Sequence, residues 1–171
     1  MPVSAQSLDQ LSYLQFCDAE QICSHVARIF GVKTTEVGLL RLQGGYLKFV
    51  FPYELRTLGA IPLMSSAVAA KTALNKSADV FNDFVRVKHA SIFEMVKLGT
   101  KPDEPAMDAQ TIQKMMSMAI VDDLGNTLGV IQVSRKGPTQ RAAGADFSHD
   151  DLQQLVTIRP ALARALTKLK E

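Results

Sequence analysis

Cysteine is nearly missing from this chain: Cys17 and Cys23 are the only two in 171 residues, six apart in a helical-looking stretch. That spacing is not a metal-ligand pattern, and two thiols are no disulfide framework, so zinc sites and disulfide-stapled secreted scaffolds have no support. Long apolar runs are missing as well. No stretch approaches the roughly 18 residues a membrane helix needs, and Met1 to Asp18 carry no cationic and apolar leader. We therefore expect no membrane association and a cytoplasmic location. An excess of one charge is also lacking. Nineteen basic against seventeen acidic side chains leave +2, too little for the basic footprint of a dedicated nucleic-acid binder. The basic clusters Arg135, Lys136, Arg141 and Arg159, Arg164, Lys168, Lys170 read as solvated faces.

What is present is the balance of an ordinary globular protein, 47% hydrophobic and 21% charged, long enough to bury a core unaided. One domain is expected over residues 1–171. Leu8, Leu11, Leu14, Ile22, Val26 and Ile29 recur at helical spacing, with Ser7 as N-cap and Gly31 as the stop, which predicts one amphipathic helix over about 7–30. Glu36–Arg41 and Tyr46–Phe51 are β-rich runs around Gly44-Gly45, a hairpin signal because both glycines accept positive φ. Pro62 interrupts a short apolar stretch, after which Ser65 or Ser66 can cap an alanine-rich helix to about Leu74. Ala78–Asp83 reads as a brief strand, Phe84–Leu98 as a helix, and Thr100–Ala109 as a loop.

Lys114–Val121 and Thr127–Ser134 flank the turn cluster Asp122-Asp123-Leu124-Gly125-Asn126, which predicts a second hairpin. After a polar loop, Ser148 with Asp151 at the third helical position forms a capping box that opens a helix over about 148–170, bent at Pro160. Hairpins in place of βαβ units predict an antiparallel sheet with attached helices, hence α+β. The sheet and pocket core then span about 35–134.

Three segments in order carry a resemblance: Gln113 to Ile120 with Asp122 to Gly125, then Leu128-Gly129-Val130-Ile131-Gln132-Val133, then Phe147-Ser148-His149-Asp150-Asp151-Leu152. This resembles the C-terminal half of a GAF domain. Ala60–Lys76 and Val80-Phe81-Asn82-Asp83 are similar to that family's small helix and following extended segment, so the likeness runs over roughly residues 20–168. It implies a central antiparallel sheet of about six strands, a ligand cavity on one face, and N- and C-terminal helices packed together that commonly pair in a homodimer. The cyclic-nucleotide branch carries Asn-Lys, Phe and Asp-Glu. The matching positions here are Arg135, Lys136, Phe147, Asp151 and Leu152, so the Asn and the Glu are absent and cyclic-nucleotide binding is not implied. Bilin-carrying members and free methionine sulfoxide reductases place cysteines in or near the cavity or on loops, whereas Cys17 and Cys23 lie in the first helix.

No catalytic group stands out. His25 is two residues from Cys23 and points elsewhere around a helix, and no second histidine or cysteine lies at ligand spacing. Asp122 with Asp123 and Asp150 with Asp151 sit in a turn and at a helix start, where aspartate serves the local backbone. The expected pocket lies between the sheet and the segments 64–70 and 81–93. Its expected ligand-binding residues are Ser65, Ser66, Phe81, Asn82, Asp83, His89, Phe93, Met116, Ser117, Met118 and Gln132, because apolar cavities orient ligands with a few polar groups. His89 could in principle reach a haem iron, but a satisfied histidine explains it as well, so no cofactor is expected. The sequence thus points to a sensory or regulatory module of signal transduction with a small-molecule ligand, a homodimer through its terminal helices and a signalling protein partner. The alternatives are a protein-interaction scaffold with a filled pocket and a thiol redox enzyme.

Overall fold

The computed structural model describes residues 18–57, 59–84 and 111–169. The expected helix over Phe84–Leu98 beyond its first residue, the loop 100–109, Ser7, Cys17, His89 and Phe93 lie outside them. Among the described residues no helix is long and apolar enough to cross a membrane.

Helix α1 (Ala19–Phe30) starts where Asp18 accepts a hydrogen bond from the Gln21 amide at 2.9 Å, and it stops at Gly31 in the left-handed region. The continuous helix from Ser7 is therefore not what forms: backbone at Asp18 is extended, with ψ 172°. Strands β1 (Val37–Gln43) and β2 (Tyr46–Phe51) follow, joined by Gly44-Gly45 with φ of 57° and 82°, the turn that two adjacent glycines favour. Strand β3 (Ala60–Pro62) leads to helix α2 (Val68–Asn75), whose N-cap is Ala67, without a side-chain cap bond, and neither serine. Strand β4 (Ala78–Phe81) precedes the long hairpin of β5 (Ile112–Val121) and β6 (Thr127–Lys136).

All pairings are antiparallel, in the order β3-β2-β1-β6-β5-β4. This is an α+β fold with a six-stranded sheet. A short helix α3 (Gln140–Ala143), capped by Thr139, occupies the segment expected to be loop. Thereafter come α4 (His149–Thr157) and α5 (Arg159–Lys168), which meet at Ile158. Pro160 occupies the first turn of α5, where a missing amide costs nothing, so the expected bend is a true break between two helices.

The sheet is covered on both faces. On one, α1, α4 and α5 pack against Val37, Leu39, Phe51, Met116, Met118, Ile120, Ile131 and Val133. The first and last helices thus share one core on one face of the sheet. On the other, α2 packs against Leu40, Leu47, Phe49, Ile61, Met115 and Val130. Coverage of both faces explains why Ile112 to Ile120 are buried without interruption.

The capping box is formed as the sequence proposes: the Asp151 amide donates to Ser148 Oγ at 3.0 Å, and the Ser148 amide donates to Asp151 Oδ2 at 2.8 Å. Ser148→Ala should lower unfolding free energy by about 1 kcal/mol, measured by urea denaturation. A loss below roughly 0.3 kcal/mol would show that the cap is dispensable.

Candidate functional site

On the face under α2, strand register lines up Gly38, Gln132, Ser117 and Asp79 across four adjacent strands. Residues directly opposite share a face, so this is a polar row on a surface otherwise apolar. Gln132 is 1% exposed, Ser117 0% and Thr72, which reaches the row from α2, 2%. Two bonds join them, and a third ties Thr72 to its own helix. Thr72 Oγ1 donates to the Val68 carbonyl at 2.8 Å, Thr72 Oγ1 and Ser117 Oγ lie 2.8 Å apart, and Gln132 Nε2 donates to Ser117 Oγ at 3.2 Å. The remaining amide atom, Gln132 Oε1, is buried with no hydrogen-bond partner among the described residues. Burying an acceptor unpaired costs about 1–3 kcal/mol, so the fold carries a penalty here.

The row ends in a groove of about 320 Å³ between α2 and β4, lined by Val68, Lys71, Thr72, Asn75, Ser77, Asp79 and Phe81. Thr72 belongs to both features. Phe81, on the groove wall, meets the buried Phe84 edge-on at 6.3 Å.

Of the residues expected from sequence, the structure brings Phe81, Ser117 and Gln132 to this region. Met116 and Met118 share a face as alternation requires, but it is the face of the terminal helices, where they are fully buried in that core. They cannot line a pocket under α2, because neighbours in a strand point to opposite sides. Asn82 is a structural tie. Its Nδ2 donates to the Phe147 carbonyl at 2.9 Å and its Oδ1 accepts the Phe147 amide at 2.8 Å, so it pairs with backbone as a strand residue would. Asp83 accepts from Gln140 Nε2 at 2.7 Å on the surface. Ser65 Oγ accepts weakly from the Ala67 amide at 3.4 Å and Ser66 is exposed, so both belong to the turn before α2. Sequence reading missed Thr72, Asn75, Ser77 and Asp79.

The positions matching the cyclic-nucleotide signature are also occupied structurally. The Arg135 guanidinium stacks on the Phe147 ring at 4.4 Å and donates to the Phe30 carbonyl at 2.9 Å and to that of Ala145. Asp151 is spent in the capping box. Buried Lys114 pairs with Asp146 at 2.8 Å and donates to the Gly144 carbonyl at 2.6 Å. These cations hold the 144–147 segment.

Cys23 is fully buried, and burial pushes its thiol well above the ordinary range. It packs as a small hydrophobe. In a Cys17→Ser background, Cys23 should resist iodoacetamide at mildly alkaline pH until the protein is unfolded. Native labelling at the rate of the unfolded chain would contradict this placement. In the β5–β6 turn, the Asn126 amide and then that of Leu124 hold the Asp122 carboxyl below its usual range. That is the local backbone role expected of a turn aspartate.

No family profile and no curated protein matches this sequence. Solved structures do. The GAF domain of an Acinetobacter phosphoenolpyruvate-protein phosphotransferase superposes with a TM-score of 0.64 at 12% identity, covering 96% of this chain and 95% of that one. The fold is that of a GAF domain. The corresponding GAF domain from Coxiella burnetii gives 0.64 at 11% identity, over 95% and 91% of the two chains. A free methionine-R-sulfoxide reductase from Neisseria meningitidis, solved with its substrate, gives 0.59 at 14% identity, over 98% and 94%. The fold is thus shared by GAF domains of phosphoenolpyruvate-protein phosphotransferases and by a free methionine-R-sulfoxide reductase, and this chain matches each along nearly its full length.

Proposed function

We propose that this chain is a cytoplasmic sensory module that binds a small molecule between the GAF sheet and α2, without catalysis of its own. One observation carries the reading: the buried, partnerless Gln132 Oε1 at the inner end of a polar row that leads to a groove. A fold gains nothing by keeping an unpaired acceptor in its interior, whereas a binding site needs one. The burial of Cys23 weighs against the alternative of a thiol reductase, since a thiol held protonated is a poor nucleophile.

Ligand and output would sit on opposite faces of the same strands. Thr72 and Asp79 line the groove and Ser117 and Gln132 continue the row behind them, while Met116, Met118, Ile131 and Val133, the neighbours of the latter two along β5 and β6, meet the terminal helices. A ligand that favours one strand setting therefore shifts the packing of α1 and α5. Through those helices we propose a homodimer and contact with a signalling protein.

Thermal denaturation against a panel of metabolites tests the reading. A ligand at roughly a hundred times its Kd for the wild type should raise Tm by about 5 °C or more in the wild type and by clearly less in Thr72→Val or Gln132→Met at the same concentration. If no compound shifts Tm, the scaffold with a filled pocket is the better account.

A further inference from the structure

We infer that the site selects its ligand by a hydrogen-bond donor: the end of the molecule that reaches Gln132 carries an N–H or O–H, and molecules offering only acceptors are rejected. This rests on the binding role proposed above and names the chemistry of that site.

The argument counts protons. A carbonyl can only accept, so the single hydroxyl proton of Thr72 goes to the Val68 carbonyl. Thr72 Oγ1 is then the acceptor in its contact with Ser117, which fixes the Ser117 proton on that bond. With its proton spent, Ser117 Oγ can only accept from Gln132, so the amide must present Nε2 to it. Turning the amide over would set Oε1 against an oxygen with no proton to give. The helix backbone of α2 thereby sets the orientation of an amide on β6, through a chain of three bonds polarised in one direction.

The amide atom left without a partner is therefore Oε1, an acceptor, buried at the inner end of the row behind the groove, and it cannot change roles while the chain stands. Gly38, opposite Gln132 in the row, adds no side chain that could fill the place. At the far end of the row, Asp79 adds a further acceptor to the groove wall. An amide, an amine, a ring N–H or an alcohol satisfies such a site. A carboxylate, ester or ether end leaves Oε1 unpaired and adds its own repelled oxygen.

Ligand-observed NMR on the whole chain, with matched probe pairs, tests the inference. Benzamide against methyl benzoate and benzyl alcohol against anisole differ chiefly in the donor. The donor member of each pair should bind about tenfold tighter to the wild type. Gln132→Met should reduce that discrimination to about twofold or less. Thr72→Val supplies a second readout that does not remove Gln132. Ser117 then gives its proton to Oε1, the amide turns over, Nε2 faces the site, and the preference should reverse toward methyl benzoate and anisole. Equal binding of both members to the wild type, or an unchanged donor preference in Thr72→Val, overturns the inference and leaves small-molecule binding standing. Absence of binding by every probe at millimolar concentration overturns both.

Discussion

Replacing Gly129 by alanine is expected to destabilise the protein by about 3 kcal/mol or more, well beyond what propensity alone would cost. A Cβ built at this position lies 2.0 Å from the Leu40 carbonyl oxygen and 3.0 Å from Leu166 Cδ2. The first contact is with backbone, which cannot rotate out of the way. Relief requires β1 and β6 to separate where Leu40 faces Val130 and Arg41 faces Gly129, in the middle of the sheet. The second contact pushes on α5. Urea denaturation of Gly129→Ala would show the loss, and Gly129→Val should not give a folded protein. A cost for alanine below roughly 1 kcal/mol would mean that the two strands sit farther apart than described.

Glu36→Ala should be nearly as damaging, at about 3 kcal/mol. This carboxylate is 9% exposed. Oε1 accepts the Lys33 amide at 2.8 Å and Oε2 the Lys136 amide at 2.7 Å, while the Glu36 carbonyl accepts Ser134 Oγ at 2.9 Å. One side chain therefore holds the entry to β1 against the end of β6, 100 residues away. Alanine strands two amide donors that a charged acceptor had satisfied, and such bonds contribute about 1.5–3 kcal/mol each without adding fully. Glu36→Gln discriminates the cause, since an amide keeps one acceptor and turns a donor toward the other amide. It should recover less than half of the loss in the same denaturation assay, and full recovery would show that packing rather than the paired acceptors matters.

The local signals in the sequence predicted local structure well. Gly44-Gly45 and the Asp122–Asn126 cluster mark both hairpins because turn chemistry depends on a few adjacent residues, and Ser148 with Asp151 marks a helix start for the same reason. What failed depended on contacts distant in sequence. Asn82 looks like a ligand group until Phe147, 65 residues later, takes both ends of its amide. Met116, Ser117 and Met118 cannot all face one pocket, because period two allows only the middle one or the outer two. Alternation says which residues share a face. It does not say which of two buried faces holds the site.

Thr72 is not legible in the sequence because a threonine in a run of alanines gives no local sign of where its hydroxyl goes. The register did contain a clue. Once the Asp122–Asn126 turn fixes the β5–β6 hairpin, Ser117 falls opposite Gln132, and two polar side chains paired on a buried face call for a third group to complete them. The family likeness placed the helix above them but not its hydroxyl.

The most direct test of the account is the stability of Gln132→Met without ligand. If Oε1 is an acceptor kept free for a ligand, methionine removes a buried penalty and gives up one bond to Ser117. Unfolding free energy in urea should then stay level or rise by up to about 1 kcal/mol, with the slope unchanged. A fall of more than about 1 kcal/mol at the same slope would show that the amide belongs to the fold and is not held open for a partner.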